Sequence, residues 1–158
     1  MTCTRGVPAS DIQYWPVIPG TGVLSGVVAM ASGSGVLWGE APDEHDYPAA
    51  ADYLALLATA AQISEIVAAL KKAPIVHKKA KDLLRASSLA LLPADNPHVS
   101  ADLKKIKKGK PLSPILAVRG DLNTGVAMQI ADGYHRVCAS YLTDENTDIP
   151  VRIVPPTN

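Results

Sequence analysis

Asp132-Gly133-Tyr134-His135-Arg136 gathers a carboxylate, an imidazole, a guanidinium and a conformationally free glycine within one short stretch of chain. An apolar run, Val126-Ala127-Met128-Gln129-Ile130-Ala131, leads into it, and Val137-Cys138-Ala139-Ser140-Tyr141-Leu142 follows with helical character. A glycine turn that delivers His and Arg into the first turn of a helix brings unsatisfied backbone N–H groups, the positive end of the helix dipole and a guanidinium to one spot. That spot suits a phosphate or a carboxylate, either of which Arg holds through two parallel hydrogen bonds. The same spacing also occurs in surface turns that bind nothing. The elements that must position these residues therefore matter as much as the residues themselves.

Those elements read as α+β. Helical signals start at Asp46-Tyr47-Pro48, with Pro near a first turn, and Leu54, Leu57, Ala61, Ile66 and Leu70 recur at helical spacing over residues 49–70. Ala73-Pro74 breaks that helix, and a second is expected over residues 75–91 before Pro93. Asn96-Pro97 starts a third, with Val99, Leu103 and Ile106 as its apolar face and Gly109 as its stop. Residues 115–119 then read as a strand, 120–125 as a hairpin-type connection and 126–131 as its partner strand. A helix over 134–143 and a last strand over 149–154 complete the pattern. The expected organisation is a Gly-rich segment, residues 1–45, followed by a single α+β domain over 46–158. That domain comprises a helical extension, 46–92, and a core, 93–155. The Gly-rich segment carries an imperfect repeat, at residues 20–26 and 33–39, which lacks the Lys-Ser/Thr of a P-loop and reads as two short strands or a mobile arm. Residues 1–43 are expected to be dispensable for the core.

Composition sets bounds on this reading. At 158 residues, 47% hydrophobic and 19% charged, the chain fits one folded domain with a real core. Cys3 and Cys138 make no disulfide framework and lack metal-ligand spacing, which points to a reducing, cytoplasmic setting. No charge occurs between Asp11 and Glu40, and residues 23–31 are apolar. Gly and Ser nevertheless interrupt that run, and its long, proline-containing leader lacks a basic start, so neither an export signal nor a membrane span is expected. The net charge of zero conceals a polar distribution. All ten lysines, from Lys71 to Lys110, together with Arg85, stand against only Asp82, Asp95 and Asp102. Such a block is either a solvated face or a surface for a nucleic-acid backbone. His45, His77 and His98 are isolated, without the spacing of a structural metal site.

The order of elements and the residues Leu103, Ile106, Gly109, Pro114-Ile115-Leu116-Ala117-Val118 and Ile130-Ala131-Asp132-Gly133-Tyr134-His135-Arg136, with Ala139 behind, resemble the ParB/sulfiredoxin superfamily, often labelled ParB-like nuclease domains. The resemblance covers residues 89–154. It implies a small mixed sheet with flanking helices and a pocket that handles phosphate. The family includes nucleotide-binding DNA-partition proteins, sulfiredoxins and free-serine kinases, and the DGxHR form of the loop is most similar to the kinase branch. By that resemblance His135 and Arg136 hold phosphate oxygens, Gly133 lets the backbone approach, and Asp132 and Tyr134 complete the nucleotide site. Tyr134 stands where sulfiredoxins place their essential Cys, which disfavours sulfinic-acid reduction. Cys138 reads instead as a packing residue.

The kinase branch also needs a carboxylate near the attacking hydroxyl. No Glu lies between Glu65 and Glu145, so His98 and Asp102, with Asp95, are the substitutes beside His135. Asp132 either ligates Mg²⁺ next to nucleotide phosphate or has a structural role, capping the following helix or fixing the turn, which is the more ordinary one. The expected function is binding of a nucleotide (ATP, ADP or CTP, with Mg²⁺) or another phosphorylated small molecule, with phosphoryl transfer as the associated chemistry. The alternative is a non-catalytic module that binds nucleic acid or protein through the Lys-rich face.

Overall fold

The strand Ile115–Val118 (β2) is buried along its whole length, as an uninterrupted apolar run with both faces covered must be. Successive side chains point to opposite faces, so Ile115 and Ala117 enter one core and Leu116 and Val118 another. The computed structural model describes residues 35–157. Around β2 these form a four-stranded mixed sheet between two helical layers. The strands Ile75–Lys79 (β1), Gln129–Asp132 (β3) and Asp148–Val154 (β4) complete it, in the order β1-β4-β2-β3. β4 runs parallel to β2, and the two outer pairings are antiparallel. One face is covered by Ala80–Ser87 (α3), Pro97–Lys107 (α4) and Tyr134–Thr143 (α5), and the other by Asp46–Leu54 (α1) and Ala60–Lys72 (α2). Among the described residues no helix is long and apolar enough to cross a membrane.

The second half follows the sequence pattern closely. The Asn96 side chain accepts from the N–H groups of His98 and Val99 at 3.1 and 3.3 Å, and Pro97 opens α4. Gly109 takes a φ of +62° just past its end, as a helix stop requires. Asp121 and Val126 pair across the hairpin-type connection, and α5 spans the expected residues.

The first half departs from expectation in three places. The helix expected over 49–70 is two helices. Thr59 caps α2 with a reciprocal pair of bonds, the Gln62 N–H donating to the Thr59 hydroxyl at 3.4 Å and the Thr59 N–H to the Gln62 side-chain carbonyl at 3.0 Å. That Thr-x-x-Gln start defines a new helix and ends the old one. The helix expected over 75–91 begins only at Ala80, because residues 75–79 form β1, an edge strand whose partner β4 lies some seventy residues further on. Pairing at that distance overrides local periodicity. The supposed helical extension thus contributes a strand to the main sheet.

The third departure concerns the Gly-rich segment. Its first copy, residues 20–26, and the apolar run at 23–31 lie outside the described residues. Within the second copy, Val36 and Trp38 are buried in the same core as α4 and α5. The Leu112 N–H donates to the Leu37 carbonyl at 2.9 Å, and the Gly39 N–H to the Leu112 carbonyl at 2.8 Å. The boundary at residue 45 is therefore corrected, since residues 36–39 belong to the folded body. Trp38→Ala is expected to lower stability by about 3–5 kcal/mol, as loss of a large buried aromatic does. Equilibrium urea unfolding of the full chain measures this, and a loss below about 1 kcal/mol would place Trp38 outside the core.

Candidate functional site

β3 ends at Asp132 and α5 begins at Tyr134, so Gly133 alone makes the turn. Its φ of +102° favours glycine, and a Cβ there would run into the side chains of Ile115 and Arg136. Gly133 is also the N-cap of α5, and no side chain caps the first N–H groups of the helix. Of the two structural roles open to Asp132, the helix cap is corrected here. Its carboxylate turns instead to Arg136, one helical turn on, and accepts from Nη2.

Arg136 is the centre of a cluster that spans the chain. Nη1 and Nη2 donate in parallel to the two carboxylate oxygens of Asp46, at 3.3 and 3.4 Å, and Nη1 also donates to the Ser113 carbonyl at 3.0 Å. The Asp46 side chain is 4% exposed and that of Arg136 12%. Asp46 further accepts from the Ser113 hydroxyl and, at 3.0 Å, from the Asp43 N–H. This carboxylate stands ninety residues before Arg136, and the sequence marks it only as a helix start within an acidic stretch.

The two carboxylates differ in electrostatics. Burial alone would raise the Asp46 carboxyl, but the Ser113 hydrogen bond and the Arg136 charge outweigh it and hold the group below its ordinary 3.8. Burial dominates at Asp132, Arg136 offsets it only in part, and the Asp46 charge adds to it, so that carboxyl is pushed up.

An open cavity of about 640 Å³ lies over this cluster. Asp46, Asp132, Gly133 and Arg136 line it, together with His98, Asp102, Lys105, Lys110 and His135. The His98 and His135 rings are 4.7 Å apart between centroids. Burial, followed by the charge of His98, lowers the His135 pKa from its ordinary 6.5, against an opposing pull from Asp102. The Lys105 ammonium donates to Asp102 at 3.0 Å. Of the residues expected at the site, Asp132, Gly133, His135, Arg136, His98 and Asp102 thus meet in one cavity. Tyr134 does not line it; its hydroxyl donates to the Ala90 carbonyl. Cys138 is fully buried and its thiol is pushed up by burial, as suits a packing residue. Asp46 and Ser113 are the participants that sequence reasoning missed.

Chemically, the lining combines the carboxylates of Asp43, Asp46, Asp102 and Asp132 with the Arg136 guanidinium. It adds the imidazoles of His45, His98 and His135, the ammonium groups of Lys105 and Lys110, and the uncapped start of α5. Among the described residues no three His, Cys, Asp or Glu side chains gather to hold a metal ion. No protein-family model, curated protein or solved structure matches the chain. Fold and site together define a mixed α+β protein with a polar cavity at the start of one helix.

The opposite shifts of the two aspartates have opposite consequences for stability. Asp46, lowered on folding, contributes stability that is present above the unfolded pKa and lost as pH falls through the folded one. Asp132, raised on folding, binds its proton more tightly in the folded state, so its ionisation costs stability as pH rises through the folded value. Asp46→Asn is therefore expected to cost about 1–3 kcal/mol at pH 7, while Asp132→Asn costs less or stabilises. The gap should narrow toward pH 3. Urea unfolding across this range checks both, and a larger cost for Asp132→Asn at pH 7 would contradict the assignment.

Proposed function

We propose that the chain is a phosphate- or nucleotide-binding protein of ParB/sulfiredoxin type, with the ligand's phosphate at the start of α5. The observation that carries this reading is the uncapped N-terminus of α5 facing a cavity that His98, His135, Lys105 and Lys110 also line. Helix N–H groups without a cap suit anionic oxygens, and the Lys110 ammonium adds attraction. Arg136 takes a different role from the one that the resemblance implies. Its charge is already matched by Asp46 and Asp132, so it fixes the turn and the first turn of α5 while the backbone N–H groups, His135 and Lys110 meet the phosphate.

Phosphoryl transfer is the reaction this arrangement favours. The bond from phosphorus to the nucleotide oxygen breaks as one to an acceptor hydroxyl forms, and His135, held neutral near pH 7, takes the hydroxyl's proton. Mg²⁺ would arrive on the nucleotide phosphates, because Asp132 reaches it only by releasing Arg136. The Lys-rich face is less well supported as a nucleic-acid surface. Its charges are spread over α2, β1, α3 and α4, and Lys79, Lys81, Arg85 and Lys105 bond Asp148, Asn146, Asp82 and Asp102.

Calorimetric titration with ATP, ADP, CTP and inorganic phosphate tests the reading. At least one is expected to bind, and His135→Ala and Lys110→Ala should each weaken it by about tenfold or more, the worth of a lost bond to a charged group. Affinity should rise as pH falls through the His135 pKa, since the protonated ring attracts phosphate. No binding by any of the four, together with salt-sensitive DNA binding, would favour the Lys-rich face instead.

A further inference from the structure

Away from this cavity, the hairpin after β2 forms an apolar surface that the fold leaves uncovered. Leu122 at its tip is fully exposed, Val126 is 56% exposed, and Leu57 in the α1–α2 connection is 58% exposed. Two shallow cavities, of about 350 and 320 Å³, flank this hairpin and share Arg119 and Val126 in their walls. The first has an apolar lining of Leu122, Val126, Met128 and Ile153, with Arg119 and Lys78 as its cations. Neither cavity shares a residue with the one at α5.

Charge says what such a surface receives. Arg119 and Lys78 have no acidic partner among the described residues. Asp121 also lines the first cavity, but its carboxylate is turned into its own loop, accepting from the Asn123 N–H at 2.8 Å and the Thr124 hydroxyl at 3.0 Å. An apolar floor with an unmatched guanidinium at its edge suits a ligand with an alkyl chain and one anionic end. Guanidinium holds a carboxylate through two parallel bonds, and Met128 adapts its shape to an alkyl chain. The volumes fall in the lower part of the range for small-molecule clefts, about 300–1,000 Å³. We infer that this surface is a binding site for an alkyl carboxylate, the chain lying over Val126, Met128 and Ile153 and the carboxylate on Arg119.

Amide NMR of the full chain, titrated with octanoate and separately with octylammonium, tests this. Octanoate is expected to cause saturable shifts at Leu122, Val126 and Met128, weakening with added salt, while octylammonium leaves them unmoved. Arg119→Gln, at an exposed position, should weaken octanoate binding at least about tenfold, and Val126→Asp should abolish it with the remaining spectrum preserved. The absence of saturable shifts would overturn the inference. So would equal binding of octylammonium, or a loss in Arg119→Gln smaller than that.

Discussion

Arg136 ties three parts of the chain to one point. Its guanidinium meets Asp132 at the end of β3, Asp46 at the start of α1 and the Ser113 carbonyl just before β2. Taking three charged groups out of water is costly, and such a cluster adds little net stability compared with apolar packing of similar volume. Its contribution is position. With both terminal nitrogens committed, the arginine cannot swing away, and the first turn of α5 is locked against the sheet. Gly133 leaves the room this requires, since any side chain there would meet Arg136 and Ile115.

The shape of the cavity follows from this constraint. One guanidinium shared by two carboxylates leaves Arg136 no charge to spare for an anion. Of the other cations that line the cavity, Lys105 is paired with Asp102, which leaves Lys110 to attract an anion. Burial, and after it the neighbouring His98, discourages protonation of His135. The result is a polar cavity whose charges of both signs are held in place by their neighbours.

Much of the arrangement was legible in the sequence where contacts are local. The Asp-Gly-x-His-Arg turn and the Asn-Pro start of α4 are set by neighbours a few residues away, and they fold as the pattern implies. Of the strands expected over 115–119 and 126–131, the first is met nearly in full and the second begins only at Gln129. His98 reaches His135 because α4 packs on α5, and the sequence offered both without their contact. What the sequence hid depends on distant partners. β1 is a strand only because β4 pairs with it, Trp38 is core only because Leu112 lies alongside, and Asp46 looks like an ordinary helix start until Arg136 arrives. The Thr-x-x-Gln cap of α2 was the exception, a local signal that was present and overlooked within an alanine-rich run.

The claim that Arg136 and Asp46 form one energetic unit is tested most directly by a double-mutant cycle on folding stability. It compares the full chain with Asp46→Asn, Arg136→Gln and the double variant by urea unfolding at neutral pH. Coupled groups in one buried network give interaction energies of about 0.5–3 kcal/mol, and a value above about 1 kcal/mol is predicted here. The double variant should then be less damaged than the two single losses combined. Additivity within about 0.3–0.5 kcal/mol, the behaviour of independent sites, would contradict the account.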